Sequence, residues 1–275
     1  MTSMEAISDF LKERARGDLV TWEVQKETAS RFKTTVRQIE ETILSMDLLP
    51  ARYAKNRTMI DIPRQRILFN STVAVVGCGG LGGYVIEELS RLGVGTLRVI
   101  DSDVFEEHNL NRQALCTFSS LGTAKVDAAR DRVRAVNPAC EIVALKARLD
   151  ANNAPALLGD ASVAVDALDT IPSRLDLADA CIGRKIPLVH GAIGGWYGTV
   201  LTQGRAKNTI RQLYGDAKSA KGIEESLGAP SFTPAVIASI EAAEICKLLT
   251  SAGSTLEGRM IFIDLFEMSI ATFRV

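Results

Sequence analysis

Residues 73–93, VAVVGCGGLGGYVIEELSRLG, pass from an apolar run through a cluster of glycines into a segment of helical spacing. Gly77, Gly79 and Gly82 satisfy G-x-G-x-x-G at the junction. Where such a turn follows a strand and opens a helix, backbone N–H groups and the positive end of the helix dipole face an anionic phosphate. The next apolar run, TLRVID, ends at Asp101, about twenty residues beyond the turn, where a carboxylate accepts hydrogen bonds from ribose hydroxyls. The combination predicts an adenine-nucleotide site and leaves open which nucleotide. The competing explanation is glycines that only let a helix pack tightly on a sheet.

Outward from this turn, strand-length apolar runs alternate with helical patterns, the signature of a parallel sheet covered by helices. The helix AKVDAARDRVRAVN ends before Pro138 and is followed by the runs EIVALKA, ASVAVDAL, IPLVHGAI and GTVLTQG. PAVIASIEAAEICKLLTS has helical periodicity, and RMIFIDLF and SIATFRV read as closing strands. The predicted class is α/β: a doubly wound, Rossmann-like, mostly parallel sheet with C-terminal antiparallel strands and an N-terminal helical segment. Residues 1–60 are read as that accessory segment and residues 61–275 as the nucleotide-binding domain. In the former, ETASRFKTTVRQIEETIL resembles a helix-turn-helix with a Thr-Thr cap, but Glu27, Glu40 and Glu41 offset its basic residues. Residues 203–231 are polar, glycine-rich and too long for an ordinary connection, which predicts a mobile functional loop between two core elements.

A chain of 275 residues can bury roughly three quarters of its unfolded surface, so it needs no staples. With 32 Lys and Arg against 33 Asp and Glu, nothing attracts nucleic acid globally, and any anion site has to be built locally. The N-terminal sequence lacks a basic-then-apolar leader, and no apolar run approaches the roughly 18 residues of a membrane span. A soluble, cytoplasmic protein without a membrane partner is expected. Cys78, Cys116, Cys140, Cys181 and Cys246 form no C-x-x-C pair, which disfavours a zinc knuckle or a dithiol centre. His108 and His190 lie far apart and read as hydrogen-bonded structural histidines, so no zinc site is expected.

A dinucleotide would leave the residues after Asp101 without special duty. Instead DSDVFEEHNLNRQ places Asp101, Asp103, Asn109, Asn111, Arg112 and Gln113 in one stretch, and Lys125 follows at a helix start. In an open parallel sheet the loops after the strand carboxyl ends share one crevice, so these side chains can converge on a nucleotide. VAVDALDTIPSR ends a buried-type strand with Asp166 and Asp169 at the same edge. A carboxylate there, facing a triphosphate, is a natural holder of Mg²⁺, which bridges one or two protein oxygens to phosphate oxygens. The alternative for Asp169 is the N-cap of the helix that Pro172 opens.

As a set and in this order, RQRIL, GCGGLG, DSDVFEEHNLNRQ, GTAKVDAAR, DALDTIPSR and IPLVHGAIGGWYGTV resemble the MoeB/ThiF/HesA family, prokaryotic relatives of ubiquitin-activating E1 enzymes. The likeness runs from Arg64 to the C-terminus. It implies an enzyme, a nucleotidyltransferase that adenylates the C-terminal glycine of a small β-grasp sulfur-carrier protein ending in Gly-Gly, with ATP and Mg²⁺. It also implies that Gly77, Gly79, Gly80, Leu81 and Gly82 line the nucleotide and that Asp101 binds its ribose. By the same resemblance Asn109, Arg112 and Lys125 contact phosphates, with Asp103 and Gln113 beside them, Asp169 handles Mg²⁺, and Arg64 reaches a phosphate from the other subunit of a homodimer. Many relatives hold zinc with two C-x-x-C pairs, and some carry a cysteine in the long crossover loop; this chain has neither. That departure predicts release of a free acyl-adenylate or its interception by an external sulfur donor. The competing readings are an NAD-dependent oxidoreductase, favoured only by the glycine signature, and a nucleotide-regulated DNA-binding protein, favoured only by the N-terminal helices.

Overall fold

Strand β3 (Thr72–Val76) is TVAVV, and every one of its residues is buried. A continuous apolar run of this kind suits a parallel strand covered on both faces. In the computed structural model, which describes residues 3–215 and 224–275, β3 pairs in parallel with β4 (Thr96–Ile100) on one side and β6 (Val163–Asp166) on the other. β5 (Glu141–Leu145) lies beyond β4, and β7 (Leu188–Gly194) lies beyond β6. Antiparallel strands β8 (Tyr197–Gln203), β9 (Arg259–Asp264) and β10 (Ser269–Arg274) complete an eight-stranded sheet in the order β10-β9-β8-β7-β6-β3-β4-β5. The mostly parallel sheet with closing antiparallel strands agrees with the sequence reading.

Successive residues of β3 feed opposite cores, as the two-residue strand period requires. Val73 and Val75 pack with α5 (Gly80–Leu92), α6 (Lys125–Val136) and α11 (Phe232–Thr250) through Val85, Val133 and Ile237. Ala74 and Val76 pack with α7 (Ala154–Leu158), α8 (Ile171–Arg184) and α9 (Thr209–Tyr214) through Leu158, Leu177 and Ile210.

Ahead of this sheet stand α1 (Ser3–Arg14), α2 (Trp22–Arg31), α3 (Val36–Ser45) and α4 (Ile62–Phe69). Thr35 caps α3 in a reciprocal capping box with Gln38, and Ile39 and Ile43 are buried against Leu11 and Val20. A two-residue parallel pair, β1 (Leu19–Val20) with β2 (Leu49–Pro50), braces the helices; such short strands leave no periodic signal in the sequence. The structure also differs from the reading of residues 203–231. Gln203 is the buried last residue of β8 and accepts from the Ile210 N–H at 3.2 Å, so the connection begins one residue later and its first helix, α9, is docked on the core. Another helix, α10 (Glu224–Leu227), follows; the expected mobility falls partly on residues 216–223, which lie outside the described residues.

Candidate active site

The chain order turns back between β3 and β6, the place in an open sheet where ligands bind beyond the strand carboxyl ends. A crevice of about 660 Å³ opens there. Its floor is the glycine turn. Gly77 has φ +98°, a left-handed conformation, and a Cβ on it would collide with the carbonyl oxygen of Ala167 just past β6. Gly82 serves the same closeness from the other side, because a Cβ there would strike the Gly77 carbonyl. Gly77, Gly79, Gly80 and Leu81 line the crevice; Gly82 does not, and its contribution is packing of α5 against the turn.

Asp101 follows β4 and lines the crevice with its carboxylate already oriented: one oxygen accepts from the Cys78 N–H at 2.7 Å and the other from the Asp103 N–H at 2.8 Å. Asp103 pairs with Lys125 Nζ at 3.0 Å, and the Lys125 N–H donates to the Asp103 carbonyl at 3.0 Å. Burial alone would raise the Asp103 pKa, but the Lys125 hydrogen bond and charge hold it below the usual carboxylate value. Lys125 is thus nearly buried at the start of α6 with its charge turned to the crevice. Arg112 is held by the His108 carbonyl at 3.1 Å and by Asn111 Oδ1 at 2.9 Å. Beside Gly79, the buried Gln113 keeps its Oε1 without a hydrogen-bond partner, an acceptor facing the crevice lining.

Asp169, beyond the end of β6, also lines the crevice and is exposed. The N-cap of α8 is Thr170, so the capping alternative for Asp169 falls away. Asp166, its companion in the sequence reading, is wholly buried and accepts from His190 at 2.7 Å and from the Leu168 N–H at 3.0 Å. Burial opposes its ionisation, yet Arg174 and His190 hold its pKa below the ordinary value. Burial also pushes His190 down, so the ring is neutral.

Two other residues singled out in the sequence stand away from the crevice. Asn109 is buried, and its Oδ1 accepts from the Glu106 N–H at 3.0 Å, which shapes the loop that presents Arg112. Arg64, on α4, is partly exposed and pairs with Asp61 at 3.7 Å; it is no part of its own chain's crevice. Conversely, Ser102, Arg148 and Arg174 line the crevice unforeseen. Arg148 follows β5, so the rule about strand carboxyl ends could have found it; Arg174 ends the DALDTIPSR stretch and carries no local sign of its position. Among the described residues, no three His, Cys, Asp or Glu side chains gather closely enough to hold a metal ion. No helix among them is long and apolar enough to cross a membrane.

Comparison with known proteins agrees with this geometry. The chain is 36% identical over 225 residues to a SAMP-activating enzyme E1 of Haloferax volcanii, covering 80% of this chain and 83% of that one. It is 34% identical over 219 residues to a sulfur carrier protein adenylyltransferase of Thermus thermophilus, covering 77% and 81%. A probable adenylyltransferase/sulfurtransferase MoeZ of Mycobacterium tuberculosis is 31% identical over 82% of this chain, which spans only 60% of that protein. Among solved structures, PaaA superimposes with a TM-score of 0.68 at 22% identity, over 82% of this chain and 73% of that one, a likeness of fold. The ThiF family model matches residues 53–275, and the chain belongs to the ThiF family.

Proposed function

We propose that the chain activates the C-terminal glycine carboxylate of a small ubiquitin-like sulfur-carrier protein as an acyl-adenylate, consuming ATP and releasing pyrophosphate. The observation that carries this reading is the meeting of Arg112, Lys125 and Asp169 with the glycine turn in one crevice. Two relatives bear names of the same kind, a SAMP-activating enzyme E1 and a sulfur carrier protein adenylyltransferase. An oxidoreductase would leave both cations and the acid unused.

In this reading the N–H groups at Gly79, Gly80 and Leu81 face the triphosphate, Asp101 accepts from the ribose, and the open Gln113 Oε1 takes a further hydroxyl or amine donor. An oxygen of the carrier carboxylate bonds to the α-phosphorus. The bond from that phosphorus to the bridging oxygen breaks, and its electron pair leaves on pyrophosphate. Both partners are anions, so catalysis is positioning and charge neutralisation by Arg112 and Lys125, with no side-chain nucleophile. Asp169 would hold Mg²⁺, which when bound supplies further neutralisation at the phosphate oxygens.

Arg64 acts on the neighbouring crevice of a homodimer, since in its own chain it lies outside. Residues 1–60 are the accessory segment and residues 61–275 the adenylation unit, working in the cytoplasm. The adenylate is released or met by an external sulfur donor. The deciding assay is exchange of labelled pyrophosphate into ATP with Mg²⁺ and candidate carriers ending in Gly-Gly. Exchange that depends on carrier is expected; NADH binding without ATP binding would overturn the reading. Mixing Arg64→Ala with Asp169→Ala chains should restore part of the exchange, and a dead mixture beside exchange-competent wild-type controls would remove Arg64 from the shared site.

A further inference from the structure

One partly buried chain of polar groups joins α9 to the turn that bears Asp169. Tyr214 ends α9, and its hydroxyl lies 3.1 Å from His190 Nε2, with the two rings edge to face at 5.6 Å. His190 Nδ1 lies 2.7 Å from Asp166 Oδ2. The other oxygen of Asp166 accepts from the Leu168 N–H at 3.0 Å, and the Leu168 carbonyl accepts from Arg174, which also donates to the Gly191 carbonyl at 3.0 Å. Leu168, Asp169 and Arg174 line the crevice, whereas no residue of α9 does.

The proton positions follow from chemistry. Asp166 is ionised and accepts only, so His190 Nδ1–H donates to it. The neutral ring then has a lone pair at Nε2, and the Tyr214 hydroxyl is the donor. Tyr214 donates to His190, whose Nε2 also lies 3.4 Å from Arg174 Nη1; His190 donates to Asp166, and Asp166 accepts from the Leu168 N–H immediately before Asp169. Charge closes the cluster, since Arg174 lies 3.8 Å from Asp166 and 6.0 Å over the Tyr214 ring. α9 is also held against α8, by the buried Ile210 and at the surface by Asn208, 2.6 Å from Asp179, and Arg211, which pairs with the same carboxylate. Tyr214 adds to these contacts the link that runs through His190 and Asp166 to the backbone next to Asp169.

We propose that Tyr214 and His190 are positioning residues, coupling the docking of α9 to the placement of the Asp169 turn when a magnesium–nucleoside triphosphate occupies the crevice. The coupling rests on the functional reading above, which supplies that ligand. By linkage, the factor by which bound ligand favours the docked α9 equals the factor by which the docked α9 favours ligand binding. Couplings of this kind amount to roughly fivefold or more.

The test is hydrogen exchange of the α9 amides with and without saturating ATP and Mg²⁺, in wild type and in Tyr214→Phe, together with the ATP affinity of both by calorimetry. Tyr214→Phe keeps the ring and removes the hydroxyl that lies 3.1 Å from His190 Nε2. In the wild type, ligand should slow α9 exchange about fivefold or more, although α9 does not touch the crevice. In Tyr214→Phe the slowing should fall below about twofold, and ATP should bind more weakly by the factor lost. Thr202→Val is the control: it removes the buried 3.0 Å bond to Glu244 away from the crevice and should leave the ligand-induced slowing as in wild type. ATP binding without slowing of α9, or equal slowing in Tyr214→Phe, overturns the coupling alone. Loss of slowing in Thr202→Val also overturns it, because general destabilisation would then account for the effect. Absence of ATP binding to the wild type overturns the functional reading and the coupling with it.

Discussion

Replacing Glu241 by Gln should change how stability depends on pH. Glu241 sits on α11, wholly buried, with neither carboxyl oxygen hydrogen-bonded. It faces Gly191 of β7, where a Cβ would come within 2.6 Å of the carboxyl group. Burial and the Asp166 charge raise its pKa well above the ordinary 4.5, Glu88 adds to the rise and Arg174 opposes it. Burial therefore favours the neutral acid in the native state. In the unfolded chain it ionises with its ordinary pKa, so above that value the unfolded state has lost a proton that the native state keeps. Stability then falls as pH rises, up to the native pKa. For a single site, the interval from pH 5 to pH 6 removes about 1 kcal/mol, or roughly 2–3 °C in Tm for a chain of this size. Gln matches the neutral acid in size and does not titrate. Calorimetric Tm values for both proteins in the same buffers should show the difference, variant minus wild type, rising by roughly 2–3 °C over that interval, whatever its absolute value. Parallel curves would refute a neutral Glu241 and require an ionised carboxylate with a partner.

Lys125→Ala or Arg112→Ala should each lower the rate of carrier-dependent pyrophosphate exchange by on the order of a hundredfold, the loss expected for one charge stabiliser of a transition state, and a near-normal rate would take that residue out of the mechanism. Gly77→Ala forces a side chain into a left-handed backbone and against the Ala167 carbonyl, so calorimetric ATP affinity should collapse; unchanged affinity would mean that the turn does not carry the phosphates. Changing all five cysteines to Ala should leave adenylation in place, because Cys78, Cys116, Cys140 and Cys181 are buried and burial raises their thiols, Cys140 and Cys181 to about 12. A reducible enzyme–carrier adduct on a gel that vanishes in Cys116→Ala would overturn that.

How much of this was legible in the sequence depended on whether the signal was local. VAVVG followed by a glycine cluster states a buried strand, a turn and a helix within about twenty residues, and the whole sheet could be read by repeating that pattern. The crevice lining after β3 and β4 was legible for the same reason, since loops at the strand carboxyl ends converge whatever their sequence. Three kinds of feature were not. Asp166 and Asp169 look alike in VAVDALDT, but one belongs to the last strand residue and turns into the core while the other lies beyond the strand end. Gly82 and Asn109 fit the nucleotide pattern, yet close packing against Gly77 and the shape of a short loop account for them. Glu241 sits in SIEAAEICKLL, where nothing in the local sequence shows that it is buried; its burial depends on β7, which is distant in sequence.

The N-terminal helices show how chain direction separates roles that the sequence left together. Arg37 would be a surface residue on the second helix of a DNA-reading pair. Instead its guanidinium is spent on the carbonyls of Gly95 and Ala139 and on the Thr96 hydroxyl. Those groups stand at the amino ends of β4 and β5. Tyr53 continues the seam, donating to the buried Glu40 at 2.9 Å and accepting from Asn137 at 2.9 Å, while Asn137 also donates to the Ser90 carbonyl. The crevice opens at the carboxyl ends of the same strands, and a strand of this length rises about 16 Å. Among the described residues, none before Val76 lines it. Helices α1 to α3 therefore bear on their own chain's crevice through the stability of the sheet's amino edge, and their outward faces are left to whatever meets that edge.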